Sequence, residues 1–213
     1  MSTKIEAVIF DYGGVFTPSP FLAAHAYAKT QGVAPEKMVS VVFGDYHEDN
    51  DHPWHQLERG EVDLTTALTG IGEHADRLGI NFDAAELFGA MTDDGIDRTV
   101  VIDYVRGLRR QGLLTAILTN NIAEYSHVWR AQLPIGELFD AVIDSCEEKI
   151  RKPDPDIYWR ALARLGIENP AASIFLDDFA PNVEAARAIG MHGIVVHPDP
   201  RPALAQVDEL LTS

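Results

Sequence analysis

The chain has 213 residues, a formal net charge of −16 and 46% hydrophobic residues, enough apolar material for one large domain or one domain carrying an insertion. The acidic balance repels phosphate backbones, so no nucleic-acid partner is expected, and a lone cysteine, Cys146, excludes an intramolecular disulfide. No apolar run approaches the ~20 residues of a membrane span. The opening MSTKIEAVIF has no long apolar stretch of a signal peptide, so a cytoplasmic chain with no membrane partner is expected.

Ala7-Val8-Ile9-Phe10 is a short apolar run that stops at Asp11, with Gly13-Gly14 following. It reads as a buried parallel strand. A carboxylate at the C-terminal end of such a strand lies beside the crevice where open α/β sheets bind ligands, and glycines let the backbone turn sharply there. On this stretch alone, Asp11 fits a turn cap equally well.

Thr17-Pro18-Ser19-Pro20 breaks the pattern, and Phe21 to Lys29 reads as a helix. Pro35 opens another helix. Residues 44–55, GDYHEDNDHPWH, are a polar stretch rich in Asp and His. Leu57 to Leu68 is helical with one turn at Gly60, and Asp63 is the N-cap for Leu64 onward. Ala75 to Gly79 and Ala84 to Met91 continue the helical pattern, and no strand is expected between Phe21 and Met91.

From Arg98 the rhythm changes. Val101, Tyr104, Val105 and Leu108 mark a helix ending near Gln111-Gly112. Leu113 to Thr119, Phe139 to Asp144, Ser173 to Leu176 and Gly193 to His197 are strand candidates. Between them, Asp154 as N-cap with Pro155 after it opens a helix through Leu165 that Gly166 closes. Pro181 to Ile189 and Ala203 to Leu211 are further helices. Strands alternating with helices predict an α/β, Rossmann-like, doubly wound parallel sheet. A small all-helical cap is inserted after the first strand, which makes residues 1–16 and 96–213 the core domain and 17–95 the cap.

The polar residues at the strand ends repeat one theme. Asp11 ends the first strand, Thr119-Asn120 the second and Asp177-Asp178 the fourth, while Lys152 follows the third. In a doubly wound sheet these ends meet at one crevice. Several carboxylates there need a cation; hard oxygen ligands suit Mg²⁺, which takes one or two carboxylates plus substrate phosphate. Lys152 suits a phosphate dianion, Thr119 and Asn120 can donate to its remaining oxygens, and an Asp can act as a covalent nucleophile.

The chain resembles the haloacid dehalogenase (HAD) superfamily of hydrolases over nearly its whole length. The resemblance rests on four motifs in order: Val8 to Val15 around Asp11; Leu118-Thr119-Asn120; Lys152-Pro153-Asp154-Pro155; and Phe175-Leu176-Asp177-Asp178 with Asn182 and residues 184–191 after it. The resemblance implies a Rossmann-like core with a helical cap. It also implies roles. Asp11 would be nucleophile and metal ligand, with the Gly13 carbonyl and Asp178 as further ligands of Mg²⁺. Asp177 and Asn182 would support that site. Thr119, Asn120 and Lys152 would hold the phosphate and stabilise its charge.

One position departs from the family. Phosphatases of this superfamily usually carry a second Asp two residues after the nucleophile, as general acid and base; here that residue is Gly13. Three readings follow: a phosphatase using another acid, a metal-free 2-haloacid dehalogenase with Asp11 as nucleophile, or a non-catalytic binding protein. The superfamily's dehalogenases place serine and asparagine where this chain has Asp177-Asp178. They also use an Arg from the cap, and Arg59 and Arg77 lie in no persuasive motif. The stretch from Pro53 to Asp63 resembles the cap of the subgroup containing the N-terminal phosphatase domain of mammalian epoxide hydrolase. A phosphoric monoester hydrolase acting on a small phosphorylated metabolite, such as a sugar phosphate or nucleotide, is the favoured expectation.

Remaining candidates are His47, His52 and His55 with Asp45, Asp49 and Asp51. They read as a transition-metal site, a substrate-facing loop or a solvated loop, and the spacing matches no tight ligand signature. Cys146 is expected as a small buried residue. Tyr158 either lines the pocket or packs on the sheet, and Trp54, Trp129 and Trp159 are expected in core or interdomain packing.

Overall fold

A computed structural model describes residues 3–90 and 94–212. Five parallel strands form one sheet: β1 (Ala7–Phe10), β2 (Leu114–Thr119), β3 (Ala141–Asp144), β4 (Ser173–Asp177) and β5 (His192–Val195), in the order β3-β2-β1-β4-β5. The central strand alternates faces: Val8 and Phe10 enter one apolar cluster, and Ala7 and Ile9 enter the other. Helices α6 (Thr99–Arg110) and α12 (Arg201–Leu211) cover the first face; α10 (Pro155–Leu165) and α11 (Ala180–Ala188) cover the second. The central strand is therefore shielded on both sides, which is why its sequence is a continuous apolar run. The fold is the expected doubly wound, Rossmann-like α/β sheet.

Among the described residues between β1 and α6 the regular elements are all helices, with their own apolar cluster built around Tyr27, Met38, Phe43, Leu57, Ile71 and Leu87. They are α1 (Pro20–Gln31), α2 (Pro35–Phe43), α3 (Pro53–Glu58), α4 (Leu64–Arg77) and α5 (Ala84–Gly89). The expected end of the last helix at Met91 lies outside the described residues. Local signals place several ends. Asp63 accepts from Thr66 N–H at 2.8 Å, Asp154 accepts from Asp156 N–H at 2.9 Å, and Gly166 closes α10 in the left-handed conformation, all as expected from the sequence.

Other details differ from the sequence-based expectation. The helix expected to end at Leu68 runs on to Arg77 and absorbs the segment from Ala75. Ala67, Ile71 and Ala75 are spaced four apart and all buried, so packing carries the helix through Gly70 and Gly72. The polar stretch 44–55 ends in a helix start at Pro53, with the His52 side chain accepting from Trp54 N–H. Three one- to two-turn helices were not expected: α7 (Ser126–Gln132), α8 (Ile135–Leu138) and α9 (Ser145–Glu148). Trp129 and Trp54 are buried, but Trp159 is 45% exposed because its neighbour Tyr158 takes the inward side of α10. No helix among the described residues is long and apolar enough to cross a membrane.

Candidate active site

Parallel register brings the strand ends level. Phe10 pairs with Ile117 on one side and Leu176 on the other, so the residues that follow, Asp11, Leu118 and Asp177, lie in one row. Asp11 is 8% exposed, and its amide donates to Leu176 O at 2.8 Å. Asp11, Asp177 and Asp178 each offer a carboxylate oxygen within 4.8 Å of the others. This is the one such acidic or His/Cys cluster among the described residues, so His47, His52 and His55 form no metal site with their neighbouring aspartates.

Lys152 is 1% exposed and reaches into the same row. Its ammonium lies 2.9 Å from Asp11 Oδ1 and 2.6 Å from Asp177 Oδ2, and it donates to Leu118 O at 3.1 Å. Burial alone would lower the Lys152 pKa; the two carboxylates hold it above its usual value. Burial pushes Asp11 well up, against the pull of Lys152, and lifts Asp178 to about 7 with Asp177 adding to the rise. Asp177 is anchored behind the site: Phe179 N–H and the Asn182 amide both donate to it.

Three carboxylates against one ammonium leave negative charge uncompensated in a buried place. The Asn182 Oδ1 atom, buried beside them, has no hydrogen-bond partner among the described residues. An all-oxygen donor set with surplus negative charge and an unused acceptor fits a divalent cation such as Mg²⁺.

The two glycines after Asp11 differ. Gly14 has φ 72°, and a Cβ there would lie 2.2 Å from Asp178 Cγ, so only glycine lets Asp178 approach. Gly13 has no positive φ, and a Cβ there would meet only Pro20, at 3.5 Å, an ordinary contact.

Thr119, Asn120 and Gly13 line the same cavity as Asp11, Lys152 and Asp178. Asn120 is committed elsewhere: its Oδ1 accepts the Lys152 N–H at 2.9 Å, and its Nδ2 donates to the Lys152 carbonyl at 3.0 Å. Its side chain thus clasps the Lys152 backbone. Thr119 is buried at the end of β2, with only a 3.5 Å contact from its hydroxyl to Asn120 O. Tyr158 packs on the sheet and donates to Asn182 O at 2.8 Å. Cys146 is buried, and burial pushes its thiol up to about 12.

The cavity is about 850 Å³ and opens between the sheet end and the helical segment. Its far walls are apolar: Phe21, Leu22, Phe43, Leu64, Phe88 and Phe179 among them. Phe21 stacks on Phe179 at 5.0 Å, joining the helical segment to the loop after β4. Among the described residues, Lys152 is the sole cationic side chain in its lining. Arg59 is tied to Asp49 and Glu61, and Arg77 is exposed; neither lines the cavity.

Nor do the three histidines. His52 and His55 are drawn into the packing, and burial lowers them to about 4 and about 3. The segment contributes instead two residues that sequence reasoning missed, Tyr46 and Glu58. Glu58 accepts from Tyr46 OH, from Trp54 Nε1 at 2.9 Å and from Arg151 Nε at 2.7 Å. The only sequence signal for this pairing was the basic residue beside Lys152.

A haloacid dehalogenase-like hydrolase model matches residues 5–190. The chain is 32% identical over 210 residues to acyl-CoA dehydrogenase family member 10 of Mus musculus, and 33% identical over 211 residues to the bifunctional epoxide hydrolase 2 of the same species. These matches cover 97% and 92% of this chain but only 19% and 37% of those proteins, so it spans a fraction of their length. Sesquiterpene phosphatase astK of Aspergillus oryzae is 29% identical over 197 residues, covering 91% of both chains. Among solved structures, the L-2-haloacid dehalogenase RSc1362 superposes with TM-score 0.67 at 19% identity, covering 97% of this chain and all of that one. A HAD family enzyme of Bacteroides thetaiotaomicron in complex with magnesium and inorganic phosphate gives 0.63 at 20% identity, covering 91% and 95%. At such identities these two structures speak for the fold alone. With four motifs gathered at one sheet edge and the family model spanning most of its length, the chain belongs to the haloacid dehalogenase-like hydrolases.

Proposed function

We propose that the chain is a Mg²⁺-dependent phosphatase, with Asp11 as nucleophile and a phosphomonoester of an apolar alcohol as substrate. The observation that carries this is the buried row of Asp11, Asp177 and Asp178 compensated by one lysine, a set built for a cation and a phosphate together. A metal-free dehalogenase has no use for the second and third carboxylates, and among the described residues no arginine of the helical segment lines the cavity.

Asp11, the Gly13 carbonyl and Asp178 would hold the ion, with Asn182 behind them; bound there, Mg²⁺ neutralises phosphate charge and polarises the phosphorus. Asp11 Oδ1 receives the Tyr12 N–H at 2.7 Å and the Lys152 ammonium, which fix the carboxylate plane. Oδ2 has no hydrogen-bond partner among the described residues, and it is the oxygen left to attack phosphorus. The new O–P bond forms as the ester O–P bond breaks, and the alkoxide leaves with the bonding pair and takes a proton from water. Lys152 and the Thr119 hydroxyl stabilise charge on the equatorial oxygens. Water then hydrolyses the aspartyl-phosphate and restores Asp11.

The apolar walls and the 850 Å³ volume support a hydrocarbon-rich leaving group. Sugar hydroxyls would meet aromatic and aliphatic side chains over most of this cavity. The relation to a sesquiterpene phosphatase points the same way. We place the helical segment as a cap that covers this tail.

Phosphate release with Mg²⁺ should be measured on p-nitrophenyl phosphate, dodecyl phosphate, glucose 6-phosphate and adenosine monophosphate, beside chloride release from 2-chloropropionate. The expected result is turnover of the aryl and alkyl esters above the sugar and nucleotide. Chloride release without phosphate release would establish the dehalogenase, and neither product would leave a binding protein.

A further inference from the structure

Five residues close a ring of contacts around the backbone of Lys152. Glu58 Oε2 accepts from Arg151 Nε at 2.7 Å. Arg151 is covalently next to Lys152. The Lys152 peptide groups are clasped on both sides by the Asn120 amide, at 2.9 and 3.0 Å. Asn120 Nδ2 also reaches Tyr46 OH at 3.5 Å, and Tyr46 OH donates to Glu58 Oε1, which closes the ring. Arg151, Lys152 and Asn120 come from the sheet end; Glu58 and Tyr46 come from the helical segment.

We infer that Glu58 is a positioning residue for Lys152: by holding Arg151 and Tyr46 it fixes the backbone from which the Lys152 ammonium reaches Asp11 and Asp177. The inference rests on the proposal above that Lys152 binds the phosphate.

Arg151 is fully buried, with its guanidinium 4.3 Å from the Tyr46 ring centroid. Its Nη2 has no hydrogen-bond partner among the described residues and Asp49 is 3.5 Å from Nη1, so Glu58 is its main counter-charge. A buried guanidinium that loses its carboxylate must find water. Arg151 is packed on every side, so its rearrangement bears on its own backbone, and Lys152 is the next residue. The Asn120 clasp passes the same displacement to the residue beside Thr119. Charge placement at a phosphate is sensitive on this scale, since a misplacement of about 1 Å costs about 10²-fold in rate.

Glu58 lines the cavity, so a carboxyl there is also the obvious substitute for the acid missing at Gly13. Its bonding argues against that role. One oxygen accepts from Tyr46 OH and Trp54 Nε1, and the other from Arg151 Nε. Ser145 Oγ holds the Glu58 carbonyl at 2.6 Å, so the residue is pinned to the core by both its backbone and its side chain. Because two members belong to the helical segment, the ring exists only while that segment is seated on the sheet end.

The test uses Glu58→Gln, which keeps the side-chain shape, together with Arg151→Met and the double variant. Acetyl phosphate, which has neither tail nor poor leaving group, is the substrate, with inorganic phosphate as competitive inhibitor and thermal unfolding alongside. The expected outcome is a 10- to 100-fold fall in kcat and a weaker inhibition by phosphate for each single variant. The double variant should cost no more than either single one, as two members of one unit do. A purely structural role would lower the melting temperature and leave kcat per folded molecule and the phosphate inhibition constant unchanged. An acid-base role would lower kcat of Glu58→Gln through hydrolysis of the phosphoenzyme but leave the phosphate inhibition constant unchanged, and Arg151→Met would be silent. Either result overturns the inference while wild-type turnover keeps the phosphatase reading intact. A wild-type chain that neither turns over nor binds phosphate overturns both.

Discussion

Gly14 lies so close to Asp178 that a Cβ on the glycine would sit 2.2 Å from the carboxyl carbon, and Gly14 holds φ 72°. Gly14→Ala therefore faces backbone strain and a direct clash with a proposed metal ligand. We expect a loss of stability of about 1–3 kcal/mol, together with a rise in the Mg²⁺ concentration needed for activity. Urea unfolding and a Mg²⁺ titration of phosphate release would measure the two effects. A normal Mg²⁺ requirement would mean that Asp178 does not depend on this close approach.

Gly13 permits the opposite experiment, because neither φ nor space forbids a side chain there. Without an acid at that position, the departing alcohol is unprotonated and the attacking water is unassisted. The wild type should turn over slowly and show a burst of phosphoenzyme with aryl phosphates, which need no acid in the first step. Gly13→Asp should shorten the phosphoenzyme lifetime and raise turnover of alkyl phosphates by up to about 10²–10⁴-fold, the usual range of general acid-base help. Rapid-quench time courses of both proteins would decide it. A wild-type course without a burst and with fast steady turnover would show that another group already fills the role.

Chelation provides a third test. The surplus negative charge of Asp11, Asp177 and Asp178 predicts that EDTA abolishes phosphate release and that Mg²⁺ restores it. Asp178→Ala should lose activity and the response to Mg²⁺ together, while Asp11→Asn should lose turnover with the fold intact, since an amide is a poor nucleophile. Phosphate release that persists under full chelation would overturn the metal requirement, and chloride release under chelation would favour the dehalogenase.

His52 and His55 set a pH dependence of stability. Burial lowers their folded-state values to about 4 and about 3, below the ordinary 6.5. The unfolded chain therefore binds protons first as pH falls, and stability is full above 6.5 and declines below it. A histidine held neutral costs about 1.4 kcal/mol for each pH unit below its unfolded value. His55, with its side chain fully buried, should account for about 1 kcal/mol between pH 6.5 and pH 5.5, because the unfolded histidine is half protonated at the start of that range. Urea midpoints at pH 7.5 and 5.5, for wild type and His55→Gln, would test this. An equal pH slope in the two proteins would remove His55 from the explanation.

The legible parts of the site share a cause. Asp11, Thr119 and Asp177 each follow or close an apolar run, and a parallel sheet sends every such run's C-terminal end to the same edge. Lys152 could be placed with them because Asp154 and Pro155 announce the helix start just beyond it. Asn120 shows the limit of that reasoning. Its type suits a phosphate contact, yet the fold spends its amide on the Lys152 backbone. The histidines show it again: His52 and His55 stand in a polar stretch, but α3 turns them inward.

The sequence by itself determined what depends on near neighbours and on strand direction. The apolar runs of β1, β2 and β4, the caps at Asp63, Asp154 and Gly166, and the convergence of Asp11, Lys152 and Asp178 all follow from contacts a few residues long or from parallel topology. Only the tertiary structure decided how the helical segment sits on the sheet. That docking pairs Glu58 with Arg151 across 93 positions, stacks Phe21 on Phe179, and makes the cavity apolar rather than basic. The pairing of β1 with β4 also decides which glycine after Asp11 has no room for a side chain. Gly13 and Gly14 are indistinguishable as letters, and only the nearness of Asp178 to one of them separates the two. Such contacts arise from the shape of two surfaces meeting, which no local periodicity encodes.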